Sequence, residues 1–346
     1  MRELGCVNID VDMKNVINNW VHIPGIHCGS VAIRDVTKYY GYNLSEPMCF
    51  GLGGGLGFFY TVREDMNPTR VIHLRGPGME PNFFSLIGDS VDWRLEEDSD
   101  RAFELLKGFI DSGVPVLVQT DIFYLDYYNS STHFPGHVIP VWGYDDESEI
   151  VFVSDTGFDG LQRISYENFR KARSSKANPY PLFNNWFEVK LELPISPLSD
   201  IIPKAIRKNA EFMIEGRESS RGISSVSTIR SWADDLLDWG NVEDWKWSSR
   251  FAYQVITKRG TCGAGFRFMY RDFLLEAQEM VPSIRKLGLV EMMDRIGNEW
   301  SGIALLLKST SETEIVGLRF NELSVKARDI AGLEEEFYIK VLKNIP

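Results

Sequence analysis

Apolar side chains recur at helical spacing over residues 28–40, CGSVAIRDVTKYY, and the pattern stops at Gly41, a common helix terminator. RAFELLKGFIDSG at 101–113 predicts a second helix that also ends in glycine. Between and after these the period changes. VPVLVQT at 114–120, HVIPVWG at 137–143 and IVFVS at 150–154 predict short buried strands. The last two are joined by the polar GYDDESE, a hairpin connection. NWFEVKLEL at 185–193 alternates apolar and polar residues and predicts one more strand.

PISPLSDIIPK at 194–204 is proline-rich and marks a boundary. Beyond it the pattern is helical, as in IRSWADDLLDWG, FRFMYRDFLLEAQEM, VEMMDRIGNEWSGIALLLKS and a long last segment near 311–343. No internal repeat or low-complexity tract interrupts the chain. The expected layout is an α+β domain over 1–196 followed by a mainly α-helical domain over 197–346.

The 346 residues are enough for two cores, and 44% hydrophobic with 25% charged residues is ordinary globular composition. No apolar run approaches the roughly 20 residues of a membrane span. The amino end, MRELGCVNIDVDMKN, lacks the apolar core of a signal peptide, so a cytoplasmic protein is expected. The net charge of -12 argues against nucleic acid. It is unevenly placed: residues 1–199 hold 16 Lys+Arg against 27 Asp+Glu, and residues 200–346 hold 21 against 22. An acidic first half favours cationic small molecules, though it also serves plain solubility.

Cys6, Cys28, Cys49 and Cys262 form no CxxC pair, so reduced thiols are expected rather than disulfides. Cys28 opens the first predicted helix, just after Pro24 and Gly25. The positive end of the helix dipole and the unpaired first-turn amides lower a thiol's pKa there and suit a developing oxyanion. A base is available in HFPGHVIPVWGYDD, which holds two of the chain's five histidines, His133 and His137. Asp155 ends the return strand, 18 residues after His137, where antiparallel pairing can set the two side by side. Cys28, His137 and Asp155 would then form a thiol triad. A buried core cysteine, a strand histidine and a turn aspartate fit the same positions. Zinc is not expected: the i, i+4 histidines would need a helix, and Pro135-Gly136 breaks one.

GIHCGSVAIRDV, LSEPMCFGLGGGLGFFY and HFPGHVIPVWGYDDE with VFVSDT, in that order over most of residues 20–190, resemble the butirosin-biosynthesis H protein family. RGTCGAGFRFMYRDFLLEA at 259–277 resembles a glycine-rich helix start in the C-terminal domain that accompanies it. The resemblance implies a papain-like cysteine-peptidase fold of the bacteriocin-processing kind. It also implies an acyltransferase that moves an acyl group from a carrier-protein thioester to an amine. It makes Cys28 the nucleophile, His137 the base and Asp155 the orienter, with His133 and Phe134 shaping the approach. No bound cofactor is implied; phosphopantetheine arrives on the acyl or peptidyl carrier protein. The acceptor would be a diamine, polyamine or aminoglycoside.

One position departs from the papain-like pattern. Six residues before Cys28, where such enzymes hold a glutamine, stands His22. His22 and Gln119 are the candidate oxyanion donors. Glu46, Asp121 and Tyr124 are candidates for substrate contact, while Tyr127 and Tyr128 are as compatible with packing. FGLGGGLGFFY lacks the Lys-Ser/Thr of a phosphate loop and reads as a close-packed turn near the active site. Arg267, Tyr270 and Asp272 fit helix packing better than substrate contact. RISYENFRKARSSKANP carries Arg163, Arg170, Lys171, Arg173 and Lys176 against Glu167, a candidate docking strip for an acidic carrier protein or simply a solvated helix face. Hydrolysis by the same triad, as a peptidase or thioesterase, and a non-catalytic carrier-protein-binding module are the other functions the sequence admits.

Overall fold

In a computed structural model the described residues are 15–88, 91–178, 180–191, 194–219, 222–314 and 318–346. Cys6 and most of the amino-terminal stretch examined for a signal core lie outside them. The chain begins with strand β1 (Asn15–Val16), helix α1 (Cys28–Tyr39) and the short helix α2 (Glu46–Leu52). The hairpin β2 (Leu56–Val62) and β3 (Arg70–Arg75) follows, then α3 (Met79–Ile87), α4 (Ser99–Asp111) and β4 (Val116–Asp121). Next come β5 (Pro135–Asp145), β6 (Ile150–Val153), β7 (Gln162–Ser165), α5 (Tyr166–Arg173) and β8 (Trp186–Glu188). The remainder is α6 (Leu198–Glu215), the strands β9 (Arg217–Ser219) and β10 (Gly222–Ser224), and α7 (Val226–Asp235), α8 (Trp245–Thr257) and α9 (Arg267–Ala277). The last helices are α10 (Pro282–Lys286), α11 (Leu289–Ser311) and α12 (Arg319–Asn344). The protein is thus mixed α and β with a helical C-terminal region.

Two compact units divide the chain, and neither is continuous. One is Met1–Glu46 with Gly88–Pro194, the other Pro47–Ile87 with Ile195–Pro346. The late boundary falls in the proline-rich stretch. Residues 47–87 differ from the division at 196/197: they pack with the later chain, and no local pattern marks that choice.

The first unit is built on an antiparallel sheet in the order β7-β6-β5-β4-β8, with β1 also on β5. Helices α1 and α4 pack on β5, and α5 packs on β4. Cover on both faces explains why β5 reads as one apolar run: Pro135 and His137–Tyr144 are all buried. Of the strand expected at 185–193, only Trp186–Glu188 is a strand, and residues 192–193 lie outside the described residues.

Helix α1 begins at Cys28 for identifiable reasons. His27 is its N-cap, with extended backbone (φ -116°, ψ 127°), and its Nδ1 accepts from the Ser30 amide at 3.2 Å. The helical ladder opens with Val31 N–H donating to the His27 carbonyl at 3.0 Å. Residues 29–37 are all buried, so this is a core helix rather than a surface one. It ends at Tyr40, and Gly41 takes φ +89°, a left-handed conformation that suits glycine.

The second unit holds a small antiparallel sheet, β3-β2-β10-β9, beneath its helices. Phe58 of β2 lies 5.6 Å from both Trp232 and Trp300 by ring centroid. The glycine-rich stretch runs through α2 into β2 within this unit. A Cβ on Gly57 would stand 2.8 Å from the Gly76 amide nitrogen, so close packing of backbone on backbone explains that glycine. Arg267 is fully buried, with its guanidinium on the Glu334 carboxylate at 2.8 and 3.1 Å and over the Trp300 ring at 4.9 Å. Tyr270 is buried too, and Asp272 pairs with Arg271, so these residues serve helix packing.

Candidate active site

The β5–β6 hairpin brings His137 and Asp155 together. His137 Nε2 donates to both carboxylate oxygens of Asp155, at 2.7 and 2.9 Å. Its other ring nitrogen remains for Cys28, with which His137 also shares a hydrogen bond. Cys28 is half-buried, whereas His137 and Asp155 are buried. Burial opposes charge on His137. The Asp155 carboxylate and Cys28 outweigh it, and the imidazole pKa is pushed up to about 10. The arrangement therefore favours the imidazolium form of His137 at neutral pH.

Cys28 is the first helical residue of α1, ahead of the ladder that starts at Val31. The loop before it is fixed by Glu46. This carboxylate accepts from the amides of Ile26 and His27, at 3.0 and 2.8 Å, and from the Ser30 hydroxyl at 3.1 Å. Glu46 is buried, with its charge spent on the backbone that presents the thiol. Its place is that of a positioning residue rather than a substrate contact. Gly25 fits because a Cβ there would come 2.4 Å from Glu46 Oε2.

Neither oxyanion candidate keeps a donor aimed at Cys28. His22 is committed at both ring nitrogens, Nδ1 to Asp35 Oδ2 at 2.6 Å and Nε2 to the Phe158 carbonyl at 3.1 Å. Gln119 pairs across the sheet with Val138, whereas His137 pairs with Thr120. Paired residues share a face and neighbours alternate, so Gln119 lies on the face opposite His137. Its side-chain oxygen accepts from Asn185 at 2.9 Å.

Asp121, expected at the substrate, is instead a fully buried hub. Oδ2 accepts from His133 Nδ1 and the Ser175 hydroxyl, both at 2.7 Å, and Oδ1 accepts from the amides of Phe134 and Phe123 at 2.8 and 3.2 Å. Burial raises its pKa, but Ser175, His133 and the two amides prevail and hold the carboxyl below its usual value. His133 stacks on Phe123 with centroids 4.1 Å apart and meets Tyr124 edge-on at 5.9 Å. Phe134 is exposed. His133 and His137 thus turn to different carboxylates, which explains why they do not act as a pair.

Two tyrosines that the sequence left open between packing and the site touch His137 and Asp155 directly. Tyr127 donates its hydroxyl to Asp155 Oδ2 at 2.7 Å, and the Tyr128 hydroxyl lies 3.4 Å from His137 Nε2. Burial and the Asp155 charge push both phenol pKa values up, so both stay protonated. No local signal marks Tyr127, because its partner is 28 residues away.

Of the basic strip, Arg173 is withdrawn into the core. Arg173 is buried on the Phe169 ring, donates to the Asn184 carbonyl at 3.3 Å, and has its pKa lowered by burial to about 9. Arg170 pairs with Asp100 at 3.0 Å and Lys171 with Glu167 at 2.6 Å. Lys176 donates to the Leu182 carbonyl at 2.7 Å, and Arg163 lies over Phe152 at 5.8 Å. The helical turn of α5 puts Arg173 in the core, while Arg163, Lys171 and Lys176 are exposed and Arg170 is partly so.

Among the described residues no helix is long and apolar enough to cross a membrane. No curated protein matches the chain. Two family models do. The family described as Butirosin biosynthesis protein H, N-terminal, matches residues 27–156, a span that starts beside Cys28 and ends beside Asp155. The Domain of unknown function (DUF4872) matches residues 167–341, half of the chain. With both matches in this order, the chain belongs to the butirosin biosynthesis protein H-like family.

Proposed function

We propose that the protein is a cysteine acyltransferase of antibiotic biosynthesis, forming an amide between a carrier-bound acyl group and an amine. The observation that carries this reading is Cys28 at the first turn of α1, joined to His137 and through it to Asp155. A nucleophile-bearing helix packed on an antiparallel sheet that supplies histidine and aspartate is also the basis for a papain-like fold here. The family description supports a biosynthetic setting. Reduced thiols suit a cytoplasmic location.

In this mechanism the Cys28 thiolate attacks the thioester carbonyl at the end of a phosphopantetheine arm on an acyl or peptidyl carrier protein. The amides of Cys28 and Gly29, ahead of the helical ladder, hold the oxyanion. As the C–S bond to the arm breaks, His137 gives its proton to the departing thiolate. An amine then attacks the acyl-Cys28 carbonyl, His137 takes its proton, and Cys28 leaves as thiolate. Asp155 stabilises the imidazolium at each turn of this cycle.

The test is incubation with an acylated carrier protein, followed by intact mass of the enzyme and of the small products. Without amine, an acyl adduct on Cys28 is expected; with a diamine or aminoglycoside, the adduct discharges to amide. Free acid in place of amide, whatever amine is present, would make the protein a hydrolase. No adduct and no turnover would leave a carrier-binding module.

A further inference from the structure

Gly53 and Gly54, in the glycine-rich turn, have no part in the proposed reaction. They border a cavity of about 310 Å³ that the second unit lines by itself. Its size is within the range of small-molecule sites. Leu52, Pro77, Leu86, Ala205 and Phe212 make its apolar lining. The turn is fixed against α6, because the buried Asn209 donates Nδ2 to the Leu56 carbonyl at 3.0 Å. Gly54 takes φ +66°, and a Cβ built on it would meet nothing nearer than Asn209 at 4.0 Å. Backbone conformation therefore asks for this glycine, and open space remains beside α6.

Helix α6 sets the charges along this cavity. Lys208, Glu211 and Glu215 all line it from that helix. Glu211 is answered by Arg207, whose Nε lies 2.9 Å from its carboxylate. Lys208 reaches only a neutral group, the Asn82 Oδ1 of α3 at 3.1 Å. Glu215 has no ion pair among the described residues. Both side chains are exposed, so neither charge is suppressed by burial. The two are seven residues apart, about 10 Å along the helix and about 20° around it. Phe212 lies between them. Glu215 is also the last residue of α6, where the helix dipole favours a cation. The cavity thus has a positive end, an apolar middle and a negative end.

We propose that this cavity binds an ω-amino acid, an aliphatic chain with a carboxylate at one end and an ammonium at the other. The carboxylate pairs with Lys208, the chain lies against Phe212, and the ammonium pairs with Glu215. A simple fatty acid would answer Lys208 and leave Glu215 facing its methyl end. A simple alkylamine would do the reverse. A shorter zwitterion could not reach both charges at once. The proposal uses no residue of the triad and holds whether or not Cys28 acylates.

Calorimetric titration of the full chain tests this with 8-aminooctanoate, octanoate, octylamine and 4-aminobutyrate. The first should bind saturably, one per chain, and at least about fivefold more tightly than any of the others. Lys208→Met should erase its advantage over octylamine, and Glu215→Gln its advantage over octanoate. Both changes are at exposed positions, so the urea midpoint should stay at the wild-type value. Cys28→Ala should bind 8-aminooctanoate as wild type does, which separates this site from the triad. Absence of saturable binding would overturn the proposal. So would equal affinity for all four probes, or undiminished binding of 8-aminooctanoate in either Lys208→Met or Glu215→Gln.

Discussion

His22 and His137 each sit against a buried aspartate, at 2.6 and 2.7 Å, yet only one has a nitrogen left for chemistry. His22 is closed: Asp35 takes Nδ1 and the Phe158 carbonyl takes Nε2. Asp35 also accepts from the Ser154 hydroxyl at 2.7 Å, one residue before Asp155. The His22 pair thus ties α1 to the end of β6 and to the turn beyond it. His137 is open, with Asp155 on one nitrogen and Cys28 at the other. The same two residue types build a clamp or, in the proposed reaction, a base according to the partner of the second nitrogen. The clamp holds the turn that carries Asp155.

The sharpest break in that comparison is at the open pair. Cys28→Ala and His137→Ala should each lower transfer on the order of 10⁴-fold or more while the urea midpoint stays near wild type. Transfer within tenfold of wild type in Cys28→Ala would remove the covalent route. The closed pair should respond the other way round. His22→Ala leaves the Asp35 carboxylate buried without its main partner, and should cost about 3 kcal/mol or more of stability. Urea unfolding checks this, and an unchanged midpoint would mean that His22 is no clamp.

Asp155→Asn should be milder, with transfer down about 100-fold, since the residue orients rather than reacts. It also has a pH signature. The folded His137 pKa is raised from 6.5 to about 10, so its contribution to stability is complete below 6.5 and is lost as pH rises through about 10. Urea midpoints measured across that window should fall in the wild type and fall much less in Asp155→Asn. Parallel curves would place the elevated pKa elsewhere. The smallest effect is expected for Tyr127→Phe. It removes a hydrogen bond to a charged group, about 1.5 kcal/mol, or roughly tenfold in rate if all of it is felt in the transition state. Without that donor the Asp155 carboxylate pulls harder on His137, so the alkaline limb of the rate profile should move to higher pH with KM unchanged. An unmoved limb would reduce Tyr127 to its packing against Phe158.

Where these pairs form was partly legible from local pattern. The start of α1 at Cys28 and the β5–β6 hairpin are short-range features, and both turn up where the local pattern predicted them. The mistaken expectations concern side chains whose fate depends on distant partners. Asp121 looked available but is enclosed by Ser175, 54 residues on. Arg173 looked like surface charge but falls on the buried side of α5, and charge alone does not reveal helix phase. His22 looked like an oxyanion donor until a backbone carbonyl at Phe158, invisible to any residue-type pattern, took its second nitrogen. The short strands β9 and β10 carry too few residues for periodicity to register.

The interleaving of the two units has a consequence for how the protein is made. The chain passes from one unit to the other at 46/47, 87/88 and 194/195. Emerging from the ribosome, residues 47–87 have only one another, as in the β2–β3 hairpin, until the helices after 195 are synthesised. Their apolar side chains, among them Phe50, Phe58, Phe83 and Phe84, are buried only in the finished protein and must wait through more than a hundred residues of translation. A chain cut at residue 196 would never give them that partner, so it would expose those phenylalanines permanently and invite aggregation even with Cys28, His137 and Asp155 all present.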